Sequence, residues 1–160
     1  MIVYSGYNFV CIKKEAMFMS KKIVNDKELY SISDCVKEFI PNSNKQVCSA
    51  FVDFLVKQGL LTKEAVKYRL RKHYIYSVNG ILKDNLIGHY YTEPKKVKGE
   101  IKNGTLYFDK FMCQVMCTLY LSYISIIEEE QDKEFIVSED MLKEGMLCAA
   151  LENYVPKIDE

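Results

Sequence analysis

Histidine and arginine are scarce in this 160-residue chain, at two copies each, a thin stock for enzyme chemistry. No Gly-x-Ser-x-Gly, phosphate loop or dinucleotide fingerprint accompanies them, so the common hydrolase and nucleotide-binding signatures are absent. Internal repeats and long Ser/Gly/Pro tracts are missing too, and 49% hydrophobic against 28% charged residues excludes global disorder. The opening run from Met1 to Ile12 has neither a basic n-region nor a clean apolar h-region, so it does not read as a secretory leader. Net charge is +0, so the composition as a whole selects no partner. The expected class is a non-enzyme of the cytoplasm, without cofactor or metal, and 160 residues suit one compact domain or a small domain plus an appended element.

Six cysteines are what the chain has in excess: Cys11, Cys35, Cys48, Cys113, Cys117 and Cys148. Several sit inside apolar periodic runs, where a free thiol behaves as a small hydrophobe. Cys113 and Cys117 would share a helix face and could supply two metal ligands, but no second pair at zinc spacing exists. Reduced, inert core thiols are therefore expected.

The zero net charge hides an asymmetry. Residues 1–60 hold eight lysines and six acids (+2), residues 61–110 eleven basic and five acidic residues (+6), and residues 111–160 three lysines and eleven acids (−8). A basic middle suits a polyanion, and an acidic end suits water, a partner or the basic middle itself.

Along the chain, residues 1–22 read as an extension: Ile2–Ile12 is strand-like, and Met19-Ser20-Lys21-Lys22 looks like an ordinary protein start. Ser31 or Ser33 would cap a short helix ending before Pro41. Asn42-Ser43-Asn44 would cap a second, carrying Val47, Phe51, Phe54 and Leu55 and stopping at Gly59. Thr62-Lys63-Glu64-Ala65 would open a third, running to about Tyr74. The period then changes to two around Asn79-Gly80 and Asn103-Gly104, both strong hairpin signals. Phe111–Ile127 carries no charge over seventeen residues, short of the roughly 20 a membrane span needs, so a core or homodimer helix is expected and not a membrane one. A last short helix would run from Ser138-Glu139-Asp140 through Leu151. The resulting class is α+β: a winged-helix-like three-helix plus β-hairpin region over 23–110, then a mainly helical acidic region over 111–160.

Two elements carry candidate chemistry. On the third helix Lys63, Lys67, Arg69, Arg71 and Lys72 would enter a DNA major groove. Lys95, Lys96, Lys98 and Lys102 would form a phosphate-contacting wing around Asn103-Gly104. His73 and His89 read as structural or surface residues. Tyr90, Tyr91 and Tyr107 are the aromatics most open to stacking on bases.

Three segments add a resemblance: Asp53-Phe54-Leu55-Val56-Lys57-Gln58-Gly59-Leu60-Leu61, Leu86-Ile87-Gly88-His89-Tyr90 and Tyr107-Phe108-Asp109-Lys110-Phe111. Together they resemble the carboxy-terminal domain of phage antirepressors, the KilA-C type, over roughly residues 31–111. In that family a leucine-rich helix ends in Gly-Leu or Gly-Tyr, and a Tyr-Phe precedes a closing helix. The chain departs in its long basic third helix and in Asn103-Gly104, which stands where the family has Thr-x-x-Gly. The resemblance implies a winged-helix transcription regulator of phage or mobile-element origin, binding double-stranded DNA or a repressor protein, and transfers no catalytic residue. The alternative function is a non-catalytic protein-interaction or inhibitor module acting through the acidic end.

Overall fold

The computed structural model describes residues 22–24, 26–86, 88–129 and 134–152. The Ile2–Ile12 extension and the start at Met19 lie outside the described residues, as does the 130–133 part of the acidic run. Eleven elements follow in order: β1 (Lys22–Val24), β2 (Lys27–Ser31), α1 (Ile32–Phe39), α2 (Lys45–Lys57), β3 (Leu61–Tyr68), β4 (Arg71–Val78), α3 (Gly80–Asn85), β5 (Tyr90–Val97), β6 (Glu100–Asp109), α4 (Lys110–Glu129) and α5 (Glu139–Glu152). The chain is α+β. Strands β1-β2-β6-β5 form an antiparallel sheet, and β3-β4 stand apart as a two-stranded ribbon.

Local chemistry sets the helix limits. Ser31 caps α1: its hydroxyl accepts from the Asp34 amide (3.3 Å) and donates to the Asp34 carboxylate (3.0 Å), a reciprocal cap around a buried acid. Asn44 caps α2 by accepting from the Val47 amide at 2.9 Å. That helix ends in a Schellman pair, Leu60 N–H to the Leu55 carbonyl and Gly59 N–H to that of Val56, with Gly59 at φ +74°. Asp109 opens α4 by accepting from the Met112 amide at 2.9 Å, and its other oxygen meets His89 Nδ1 at 2.9 Å. His89 therefore supports a helix start, and α5 begins where Ser138 accepts from the Met141 amide.

The main core lies between the helices and the four-stranded sheet. Phe51, Leu55, Phe108, Met112 and Met116 are fully buried there, each contributing roughly 1.5–3 kcal/mol of hydrophobic stabilisation. Helix α4 is 20 residues long, because Lys110, Glu128 and Glu129 join the uncharged run. By length and composition it could cross a membrane, with mean hydropathy 1.4, but seven residues from Met112 to Tyr120 are buried inside the chain. The stripe expected to close the core or form a dimer does the first of these.

The third helix is a correction. Residues 63–74 form no helix; they lie in the β3–β4 ribbon, with Ala65 opposite Tyr74 and Lys67 opposite Lys72. The lysine spacing suggested a helix, but Val66, Tyr68 and Leu70 alternate with charged residues at the strand period. Burial decides between the two. Val66 and Ile75, on one face of the ribbon, pack with Val97 of β5 into a small separate core.

Both Asn-Gly pairs are corrections as well. Gly80 (φ +59°) starts α3 instead of turning a hairpin, and a Cβ there would lie 2.6 Å from the Gly59 carbonyl oxygen. Asn103-Gly104 lies within β6, where Gly104 leaves room for the bulge between Thr92 and Pro94 of β5. The turns themselves are Arg69-Leu70 and Lys98-Gly99. The three-helix order of the expected winged-helix region is thus not formed among the described residues; two helices lead into a ribbon.

One disulfide joins Cys35 of α1 to Cys113 of α4, with Cα atoms 5.2 Å apart, correcting the expectation of reduced thiols for this pair. It also removes Cys113 from any thiolate pair with Cys117. Cys117 stays free and buried, its sulfur 3.7 Å from the Cys35 carbonyl oxygen, and burial pushes its thiol up to about 12. Cys48 is half-buried, and burial raises its thiol against the lowering influence of Lys37 and Ser33. Cys148 is exposed. Without reductant and near neutral pH, maleimide should modify Cys148 first of the described thiols, Cys48 slowly and Cys117 only after unfolding, as peptide mass spectrometry would read. Fast labelling of Cys117 in the native state would contradict this packing.

Candidate nucleic-acid interface

Nine basic residues were expected at the site, and the structure puts all of them on two β-hairpins. Lys63, Lys67 and Lys72 lie on β3–β4, with Arg69 in its turn and Arg71 opening β4; Lys95, Lys96 and Lys102 lie on β5–β6 with Lys98 at its turn. The hairpins touch through Val66, Ile75 and Val97, and Lys102 reaches across to Glu64 at 3.2 Å. Two stretches 20 and more residues apart in sequence are thereby brought side by side, with Lys95 and Lys102 on the face of β5–β6 that carries Val97.

Cross-strand partners in an antiparallel pair point to the same side. Lys63, Lys67, Lys72, Tyr74 and Tyr76 thus share the face of β3–β4 opposite Val66 and Ile75. The Lys63 ammonium lies 4.3 Å from the centre of the Tyr74 ring and that of Lys72 5.6 Å, so one ring serves two cations. Lys67, directly opposite Lys72, has no acidic partner among the described residues. On the second hairpin Lys95 stands directly opposite Lys102. Two like-charged pairs in register each oppose folding by roughly 0.2–1 kcal/mol, partly offset for Lys102 by Glu64.

A cleft of about 430 Å³ separates the hairpins from α1, with His73, Tyr74, Tyr76, Lys95 and Cys48 on its walls. It shares Ser33, Cys48, Val52 and Tyr76 with a neighbouring cleft of about 870 Å³, rimmed by Lys37, Lys45, Lys63 and Asp53. Lys37 and Lys45 were missed from sequence, because nothing in α1 or α2 signals that Lys63 will stand beside them. Cys48 and His73 border one cleft, yet burial keeps the thiol protonated, which disfavours a nucleophile. No group of three or more metal-ligating side chains occurs among the described residues.

The tyrosines singled out for stacking are already engaged. Tyr91 and Tyr107 pair at 6.4 Å beneath Lys22, whose ammonium is 5.5 Å from each ring. Lys22 and Glu93 meet at 2.8 Å, raising the lysine and lowering the carboxylate, an exposed pair of little energetic weight. Tyr90 is half-buried on Phe108. Tyr74, which the sequence reading passed over, is the more exposed ring beside free cations. Its signal was the alternation Tyr74-Ile75-Tyr76.

Comparison with known proteins assigns this arrangement to no group: no family model, no curated protein and no solved structure matches the chain.

Proposed function

We propose that the chain binds nucleic acid, double-stranded DNA in the first instance, through its two adjoining basic hairpins. The observation that carries this reading is the pair of in-register lysine couples, Lys67 with Lys72 and Lys95 with Lys102. Such couples weaken a fold unless an anion is there to meet them, and a phosphate backbone supplies anions at regular spacing. The contacting unit is a ribbon in place of a recognition helix, a form that can lie in either groove of the duplex. Among the described residues a hairpin lysine pairs with Glu64 and none pairs with an acid of α5. With the KilA-C likeness, the reading extends to a transcription regulator carried by phage or mobile elements. No catalytic role is proposed.

Anisotropy of a labelled random duplex, titrated with the full chain at about 50 and 200 mM salt, tests it. Four phosphate contacts alone predict an affinity loss of roughly 100-fold between those salts. Absent or salt-insensitive binding would overturn the reading. It would favour the second one, a protein-interaction module, for which α5 offers Leu147 and Leu151, 61% and 65% exposed one turn apart among Glu144 and Glu152.

A further inference from the structure

The tip of the β3–β4 ribbon departs from what a tight turn ordinarily holds. Arg69 and Leu70 alone connect the strands, and Arg69 takes φ +58°, a conformation that hairpin turns give to Gly, Asn or Asp. Leu70 is 98% exposed. A single exposed leucine means little by itself. This one projects from the end of a cationic ribbon, and its two neighbours are the only arginines in the chain. Arginine is the side chain that enters the narrow minor groove, and an aliphatic side chain beside it can insert between base pairs and unstack them.

We propose that the Arg69-Leu70-Arg71 tip enters the minor groove of duplex DNA, with Leu70 wedged into a base step and the arginines on the groove walls. The inference rests on the nucleic-acid reading above and adds what that reading lacks, deformation of the duplex. Lysines along the ribbon hold the phosphates; the leucine kinks what they hold. Pyrimidine–purine steps, the easiest to unstack, are the preferred sites. The wedge explains why an aliphatic side chain occupies a turn that sequence chemistry would fill with a small polar residue.

The test uses the full chain and a short duplex carrying 2-aminopurine at TA steps, with donor and acceptor dyes at its ends. Binding should raise 2-aminopurine fluorescence severalfold and shorten the end-to-end distance. Leu70→Ala should abolish both signals while anisotropy still shows the wild-type salt dependence, and Leu70→Met should restore them. Because Leu70 has no core contact, an unchanged melting temperature checks that the variants fold. Wild-type binding without unstacking, or full signals from Leu70→Ala, would overturn the wedge and leave the nucleic-acid reading intact. Loss of all duplex binding by the wild type would overturn both. Leu70→Ala detaching the chain from phosphatidylserine vesicles, with the DNA signals unmoved, would show instead that the tip serves a lipid surface.

Discussion

Reducing the Cys35–Cys113 bridge should lower the unfolding free energy by about 4.5 kcal/mol, the loop-closure value for a separation of 78 residues. In a chain of this size that corresponds to a fall of about 10 °C in the thermal midpoint. The bridge ties the first helix to the first turn of α4, and so fastens the amino-terminal side of the core to an element formed much later in the sequence. Cys35→Ala, Cys113→Ala and the double variant should all melt close to the reduced wild type. Once one sulfur is gone the other has no bond left to lose, so the effects will not add. Coincident melting of oxidised and reduced protein would show that these sulfurs stay thiols in solution. Because disulfides persist in oxidising surroundings, the outcome also bears on the expectation of a cytoplasmic protein.

Lys67→Glu should move folding and binding in opposite directions. A carboxylate at this position faces Lys72 across the strands and replaces a repulsion with an attraction, stabilising the fold by roughly 0.2–1 kcal/mol. The same change deletes a phosphate contact and adds a repulsive charge, so duplex affinity at about 0.1 M salt should fall by on the order of 10- to 100-fold. Chemical denaturation and anisotropy on one preparation would read both. A variant that gains stability and keeps its affinity would remove this ribbon face from the interface; loss of both would mean the ribbon had misfolded.

The helix boundaries were legible because their chemistry is local. Ser31, Asn44 and Gly59 act within a turn of where they stand, as does Ser138. The charge layout was legible too, since the two basic stretches remain the two basic surfaces. What escaped was the ribbon. Arg69-Leu70 has none of the residues that announce a turn, while Thr62 and the lysine spacing mimic a helix start. The preference for strand depends on Val97, thirty-one residues beyond Val66, and no local pattern carries that contact. Both Asn-Gly pairs misled for one reason: their glycines answer a close approach by distant backbone, Gly59 in one case and Glu93 in the other. The Cys35–Cys113 pairing was equally invisible, since spacing along the chain does not say which sulfurs will meet.

Val66, Ile75 and Val97 are few for the task of joining two hairpins, and they share no side chain with the main core. Leu61 and Val78 anchor the base of the ribbon in the main core, so only toward their tips are the basic arms joined by three aliphatic groups and one exposed ion pair, a softer junction than the base. Softness lets the arms follow a phosphate track whose spacing varies, so one chain can fit duplexes of different curvature. The corresponding drawback is entropic, because motion lost when the arms seat on DNA subtracts from affinity. Binding energy will then depend on how nearly the free arms already match the shape of the duplex, and a pre-bent site will be held more tightly than a straight one of equal charge.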